Sequence, residues 1–319
     1  MRVLIRVKPI EEEWIYGYVS RVATENGIDE RVLLAATGIN HRPMQADVGR
    51  LSEHFRILPD EATQLSGLWK VDYLGRYFCH VGRLMLPEHL LVSRQRFPKC
   101  MRCMQEDGYQ KGIWACQLFT CCPKHRIRLY CACPACGRPV DTDPCARVVH
   151  CICGTDLLSS KEASAGEVAL ASILDGGRLR DVPENLAVGL RLLANEPVER
   201  MLRTLYFLGD IFYPQFGRMS LQGARRLSRG FITGEILSLL SDWPRGFIQE
   251  IEVAVVRASK PDATSDAIRI RRMMRRCFAE FLPDCSPFVR SAFEVAFREN
   301  SARTSRKSPS LQIQECLDF

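Results

Sequence analysis

Apolar residues recur at helical spacing near the start of the chain. The first stripe consists of Trp14, Ile15, Tyr18, Val19 and Val22, and Gly27 follows its end. An acidic run, Glu11–Glu13, comes just before the stripe and is typical of the first turn of a helix. The pattern therefore predicts an amphipathic helix that starts in this acidic run and ends at Gly27.

Two further short helices are predicted directly after it. Asp29 can cap the first of them, and Gly38 turns the chain before an apolar stripe formed by Val48, Leu51 and Phe55. Helices joined by a short glycine-containing turn match a helix-turn-helix, although any small helical bundle has a similar pattern. We therefore expect a helical, helix-turn-helix-like domain over residues 1–95.

The 3.6-residue period is strong again in the second half of the chain. One apolar stripe runs from Val198 to Phe212, and another runs from Ile270 to Phe281. These stripes predict an all-helical domain over residues 161–300. The segment 301–319 begins with a run rich in Ser, Arg and Lys, which predicts a mobile tail.

Cysteines are concentrated between the two helical regions. Eleven of the 15 cysteines lie in the 54 residues from 100 to 153. Because Arg6 and Lys8 interrupt the apolar N-terminus before it could form a secretion-signal core, we expect a reducing, cytoplasmic location. Clustered thiols in such a compartment more often hold a metal than form disulfides. We expect a tandem zinc-binding block with short β-knuckles over residues 96–160, in a fold that is mainly α.

Eight residues have the spacing of two metal sites. A Cys-x-x-Cys pair and a Cys-x-x-His pair predict a first site with three thiolates and one imidazole, and two later pairs predict a site with four thiolates. Four protein ligands leave no position for a reactive water, so both zinc ions would be structural. The expected ligands are Cys100, Cys103, Cys122 and His125 in the first site and Cys133, Cys136, Cys151 and Cys153 in the second.

Other assignments stay open at this point. Cys121 adjoins Cys122, Cys131 lies two residues before Cys133, and Cys145 or His150 could replace a ligand of the second site. An iron–sulfur cluster and thiols without any metal are the two alternatives to zinc. Zinc is preferred because paired thiolates with an imidazole are typical zinc ligands.

Basic residues form two candidate surfaces for nucleic acid or an acidic partner. The chain carries a formal charge of +7, which seven thiolates and two Zn²⁺ ions would reduce, so any attraction for DNA must be local. For the second group, which follows a predicted helical stripe, the alternative is a solvated helix face without a partner. The first group is Arg96, Lys99, Lys124, Arg126 and Arg128, and the second is Arg271, Arg272, Arg275 and Arg276.

The motifs of several enzyme classes are absent. The sequence has no phosphate-binding Gly-x4-Gly-Lys-Ser/Thr loop, no His-Glu-x-x-His and no Gly-x-Ser-x-Gly. Acidic residues are too common to exclude a metal-dependent nuclease by inspection. Apolar runs such as Val168–Ala171 are far below the ~20 residues that cross a bilayer, so we expect no membrane association.

The cysteine block resembles one known family. Its order of motifs is similar to that of the TniQ/TnsD family, the target-selection proteins of bacterial transposons, and the chain resembles the shorter TniQ type. Tyr18-Val-Ser-Arg-Val-Ala23 and Ser241-Asp-Trp-Pro-Arg-Gly-Phe247 also resemble segments of this family. The motifs in the block are Phe97-Pro-Lys-Cys-Met-Arg-Cys-Met-Gln-Glu-Asp107, Trp114, Cys122-Pro-Lys-His125, Leu129, Cys133-Pro-Ala-Cys-Gly137 and Cys151-Ile-Cys-Gly154.

The resemblance implies a non-catalytic adaptor for DNA transposition. Such a protein selects the target site, through DNA or a guide-RNA effector complex, and recruits an AAA+ ATPase regulator of the TnsC/TniB kind, which engages the transposase. A homodimer is compatible with this role. The alternatives are a zinc-containing, DNA-binding transcriptional regulator and, from another class, a metal-dependent nuclease.

Overall fold

The computed structural model describes most of the chain and divides it into two compact units, residues 1–178 and 179–319. About half of the described residues are helical, and the strands form two small antiparallel sheets. None of the helices in these described parts is long and apolar enough to cross a membrane. The described residues are 3–39, 48–71, 77–87, 90–92, 97–140, 150–158, 161–176, 188–212, 229–258 and 285–307.

Unit 1 begins with four short helices. Gly27, at a φ of 62°, ends the first helix, and the Asp29 carboxylate accepts a hydrogen bond from the Arg31 N–H at the start of the second, as predicted. The Tyr18 ring meets Phe55 edge-on at 5.3 Å, which packs the first helix against the third. The helices are α1 Ile15–Asn26, α2 Glu30–Thr37, α3 Val48–Phe55 and α4 Pro59–Thr63.

The acidic run does not form the first turn of α1, contrary to the prediction. Helix α1 begins at Ile15, and Glu12 has a left-handed backbone with a φ of 62°. The segment before the helix is extended and pairs with the cysteine-rich part of the chain, since the Trp14 N–H donates to the Gln110 carbonyl. Glu13 is fully buried instead of lying at an exposed helix terminus.

The prediction that residues 1–95 are helical misses a three-stranded antiparallel sheet. Its strands are β1 Trp69–Val71, β2 Tyr77–Val81 and β3 Leu84–Pro87. Trp69 pairs with Cys79 and Val81 pairs with Leu84, so Gly82 and Arg83 form a tight hairpin turn. Strands of three to five residues are too short to establish a period of two in the sequence.

The cysteine-rich part of unit 1 consists of short elements. Its second sheet is a two-stranded hairpin in which Cys122 pairs with Ile127. Trp14 stacks on Phe97 at 5.2 Å, so this part packs on the start of α1 within one unit. Boundaries at residues 95 and 160 stay a prediction. The elements are α5 Met101–Glu106, a 3₁₀ turn Gly112–Ala115, β4 Cys121–Cys122, β5 Ile127–Arg128 and α6 Ala165–Leu174.

Every element described in unit 2 is a helix. Phe293 lies between Phe207 and Phe247 in its core, at 6.2 and 6.3 Å between ring centroids. The last helix continues to residue 307, beyond the predicted start of the tail at 301. The helices are α7 Val188–Ala194, α8 Val198–Phe212, α9 Arg229–Ser241, α10 Arg245–Ala258 and α11 Pro287–Lys307.

The apolar stripe predicted on α8 lies in the core of unit 2. Four of its members, Met201, Leu202, Leu205 and Leu208, are buried. Burying an aliphatic side chain of this size contributes roughly 1.5–3 kcal/mol, so this face attaches α8 to the core. The second predicted stripe, 270–281, lies outside the described residues.

Candidate metal centres

The first cluster consists of Cys100, Cys103, Cys122 and His125. Cys100 is the N-cap of α5, and its sulfur accepts the Cys103 N–H, so the start of the helix directs both sulfurs to one side. Cys122 ends strand β4, and His125 lies in the turn that leads to β5. This turn closes where the Arg126 N–H donates to the Cys122 carbonyl at 2.8 Å. A helix terminus and a hairpin thus present two side chains each.

The four ligand atoms of the first cluster face one another. The Nδ1 atom of His125 is 3.3 Å from the sulfurs of both Cys100 and Cys103 and 3.5 Å from that of Cys122. The sulfurs of Cys103 and Cys122 are 3.5 Å apart. All four atoms lie within 4.8 Å of one another.

These distances fit tetrahedral coordination of one ion. With Zn–S bonds of about 2.3 Å and Zn–N bonds of about 2.0–2.1 Å, sulfurs lie about 3.8 Å apart and a sulfur and nitrogen lie about 3.6 Å apart. The closest pairs of the cluster are only slightly shorter than this. The donor set, three thiols and an imidazole, is also one that zinc prefers.

The second cluster consists of Cys133, Cys136, Cys151 and Cys153, whose sulfurs also lie within 4.8 Å of one another. The sulfurs of Cys133 and Cys153 are 3.6 Å apart, as are those of Cys136 and Cys151. Their spacing again matches a tetrahedral zinc site with Zn–S bonds of about 2.3 Å. The structure therefore brings together all eight residues that the sequence predicts as ligands.

Two glycines form the tight turns of the second cluster. The N–H of Gly137 donates to the Cys133 carbonyl, and the N–H of Gly154 donates to the Cys151 carbonyl. Both glycines have a positive φ, 70° and 86°, which residues with a Cβ rarely adopt. These turns allow two nearby cysteines to direct their sulfurs to one point.

The two clusters differ in burial. Cys100, Cys103 and Cys122 are buried, whereas Cys136 and Cys153 are exposed. A small apolar core lies beside the second cluster and consists of Met101, Cys133, Val140 and Leu157. Met101 lies between Cys100 and Cys103 of the first cluster in the sequence. Because its side chain packs in the core beside the second cluster, it links the two clusters through apolar contacts.

The other candidate ligands lie apart from the two clusters where the structure describes them. Cys121 is buried beside Cys122, and burial is the main cause that raises its pKa to about 12. Its sulfur is not among the four ligand atoms of the first cluster, which lie within 4.8 Å of one another. Cys131 and His150 are exposed and belong to neither described cluster. Cys145 lies outside the described residues.

Crowding of the thiols shifts their pKa values. Hydrogen bonds from Cys100 and Cys103 lower the pKa of Cys122 to about 2, and the corresponding contacts with Cys100 and Cys122 raise that of Cys103. A side-chain hydrogen bond with Thr155 lowers the pKa of Cys153 to about 6. Each cluster therefore offers a thiolate, the form that binds metal, at neutral pH.

The first predicted basic group does not form one exposed surface. Lys99 is only 2% exposed, and its ammonium group donates to the Val140 carbonyl at 3.5 Å, so its charge is not at the surface. Lys124 forms ion pairs with Glu106 and Asp107 at 2.7 and 3.4 Å. These two lysines are engaged within the protein.

The arginines that follow the first cluster differ from each other. Arg128 pairs with the buried Glu167 at 3.1 Å, whereas Arg126 is exposed. Arg96 and the second basic group, which consists of Arg271, Arg272, Arg275 and Arg276, lie outside the described residues. The assignment of these residues to nucleic acid or a partner stays a prediction.

Sequence reasoning missed a carboxylate beside the first cluster. Glu106 accepts a hydrogen bond from the Nε2 atom of His125 at 2.9 Å. The available signal was its spacing, since Glu106 follows Cys103 by three residues and therefore lies on the same face of α5. Histidine ligands of metals commonly donate their second ring nitrogen to a carboxylate.

These features define a protein with two candidate structural metal centres and a helical N-terminal region that packs on the first of them. The model of the TniQ family matches residues 4–129, and this match confirms the resemblance to that family. The matched region includes the first cluster and ends before the second. A comparison with curated proteins finds no match. The likeness of residues 4–129 to the TniQ family points to an association with transposition.

Proposed function

We propose that this protein is a non-catalytic adaptor for DNA transposition, which selects the target site and recruits an AAA+ ATPase regulator of the TnsC/TniB kind. The match of residues 4–129 to the TniQ family carries this proposal. The regulator then engages the transposase, so this chain needs binding surfaces and no active site of its own. A cytoplasmic location agrees with the use of reduced cysteines as metal ligands.

In this proposal both clusters hold structural zinc. Each cluster supplies four side-chain ligands, so a tetrahedral ion has no vacant position for a substrate or a reactive water. Structural zinc contributes an apparent ~10–16 kcal/mol in small finger peptides, which is enough to determine whether a short segment folds. The role of zinc is to fix the shape of the cysteine-rich part of unit 1, where helices and strands are short.

Helices α1 to α3 are the proposed DNA-contacting element. The turn between α1 and α2 contains only residues 27–29, which agrees with a helix-turn-helix. Arg31 on α2 and Arg50 on α3 are exposed, so they can reach a phosphate backbone. A guide-RNA effector complex is the alternative target, and it would use protein contacts in place of these DNA contacts.

Purified chain and its cognate ATPase provide the direct test. We expect the wild-type protein to retain the ATPase in a pull-down and to contain two zinc ions per chain by metal analysis. Cys103→Ser should lose one ion and weaken ATPase retention, because the first cluster lies in the family-matched region. Cys131→Ser is the matched control, since this cysteine is exposed and lies outside both described clusters.

Two results would count against the adaptor. Wild-type protein without zinc would remove the structural role of the clusters, and zinc-loaded protein that never retains the ATPase would remove the recruiting role. Cleavage of DNA by the protein alone with Mg²⁺ would favour a nuclease.

A zinc-containing transcriptional regulator is the second candidate, and the short turn between α1 and α2 favours it. Such a regulator would bind its own promoter tightly and specifically without the ATPase. Fluorescence anisotropy with promoter DNA and with unrelated DNA separates the two functions. The adaptor should bind both DNAs with similar affinity in the absence of its partners.

A further inference from the structure

The two ring nitrogens of His125 face different surroundings. Nδ1 faces the three sulfurs of the first cluster at 3.3, 3.3 and 3.5 Å. Nε2 lies 2.9 Å from the Oε1 atom of Glu106. A carboxylate accepts hydrogen bonds, so it favours the tautomer in which Nε2 carries the proton. Nδ1 then keeps its lone pair, which is what a metal ion requires.

Glu106 is itself held from two sides. It is the last residue of α5, the short helix whose start carries Cys100 and Cys103. Its second oxygen, Oε2, lies 2.7 Å from the ammonium group of Lys124, the residue directly before His125. The helix and the hairpin that supply the ligands are therefore also connected by these ionic contacts. The second cluster has only cysteines and needs no equivalent carboxylate.

We propose that Glu106 is a positioning residue of the first metal centre, which fixes the tautomer and ring orientation of His125, and that Lys124 holds Glu106 in place. This inference rests on the proposed binding of zinc by the first cluster. Lys124 is then part of the metal centre's surroundings. Carboxylates that orient a ligand histidine typically strengthen metal binding about 10–100-fold.

The test measures zinc affinity in the full chain by competition with a chromophoric chelator. We expect Glu106→Ala to weaken binding of one of the two ions about 10–100-fold and to leave the other unchanged. Glu106→Gln should lose less, because its amide oxygen can still accept a hydrogen bond from the Nε2–H group. Asp107→Asn is the matched control, since Asp107 also pairs with Lys124, at 3.4 Å. It should stay within about twofold of wild type, far below the loss expected for an orienting carboxylate.

Nitrogen-15 NMR of the histidine side chains reports the tautomer directly. Wild-type His125 should carry its proton on Nε2 when zinc is bound, and Glu106→Ala should broaden or shift this signal. A general loss of folding would instead release both ions together. If Glu106→Ala is insoluble, Glu106→Leu, which has a longer side chain but also offers no acceptor to Nε2–H, decides the question by the same two measurements.

The two proposals fail in different ways. Equal zinc affinity and an unchanged His125 signal in the Glu106 variants would overturn the positioning role while the zinc centre stands. Wild-type protein whose first cluster binds no zinc would overturn the centre itself.

Discussion

Arg21 makes two hydrogen bonds to the carboxylate of Glu13, at 2.7 and 2.6 Å, and so attaches helix α1 to the extended segment that precedes it. Glu13 is completely buried, and Arg21 is largely covered. Arg21 also donates to the Lys8 carbonyl at 3.0 Å and lies over the ring of Tyr18. The pair determines how the chain enters α1 in the family-matched region.

Removal of the arginine should be costly because it leaves a buried carboxylate without its partner. We expect Arg21→Met to lower the free energy of unfolding by about 3–5 kcal/mol at neutral pH. Urea unfolding of the wild type and the variant measures the difference. Glu13→Gln combined with Arg21→Met is the control, and it should lose less than the single arginine variant.

The effect of Arg21→Met should also depend on pH. Burial raises the pKa of Glu13 above its usual value although Arg21 lowers it in part. Without Arg21 the pKa rises further, so the folded variant takes up a proton at a higher pH than the unfolded chain does. Its stability is therefore lost as pH rises through the folded pKa and recovered as pH falls below it. A deficit that is constant from neutral to acid pH would contradict this account.

The difference in burial between the clusters predicts two rates of zinc loss. The second cluster has exposed sulfurs, and Ile152 between two of its cysteines is 81% exposed, whereas three cysteines of the first cluster are buried. We expect a chelator in excess to remove one ion per chain quickly and the other slowly. Stopped-flow absorbance with a chromophoric chelator records both phases.

Ligand variants assign the phases. Cys136→Ser should abolish the fast phase and Cys103→Ser the slow one, because each variant disables one cluster. A single phase for both ions, or the opposite assignment, would show that exposure does not control zinc release.

Gly112 should not tolerate a side chain. A Cβ atom at this position would lie closer to the Cβ of Ser66 than real Cβ contacts allow, and 3.0 Å from the carbonyl oxygen of Glu12. We expect Gly112→Ala to destabilise the protein by about 1–3 kcal/mol, as overpacking typically does. Gly234→Ala, on α9 with open space around it, should be neutral or stabilising, since alanine favours a helix. Thermal unfolding compares the two variants.

Arg126 and Arg128 should respond differently to substitution although they are neighbours. Arg128→Met leaves the buried Glu167 without its ion-pair partner and should cost about 1.5–3 kcal/mol of stability, the range for hydrogen bonds to charged groups. Arg126→Ala removes an exposed side chain and should leave stability unchanged. If Arg126 contacts DNA, its variant weakens DNA binding and reduces the salt dependence. Unfolding curves and anisotropy titrations measure the two effects separately.

Local patterns in the sequence predicted much of the candidate metal centres. Cys100 and Cys103 are three residues apart, so a single helical turn fixes their relation, and the same holds for Asp29 as a helix cap. Interactions between distant residues were not predicted. Arg128 and Glu167 are 39 residues apart in the sequence. The ammonium group of the buried Lys99 donates a hydrogen bond to a carbonyl that is 41 residues away. Sequence spacing contains no signal for such contacts.

The contacts of Trp14 also determine how this protein can be divided for experiments. Its backbone N–H donates to the Gln110 carbonyl, and its ring stacks on Phe97. The neighbouring residue Glu13 forms a β-bridge with Lys111. A fragment that stops at residue 95 would expose this indole and remove the partners of the strand that leads into α1. A truncated chain for binding studies should therefore retain residues up to 178, so that α1 keeps the surface on which it rests.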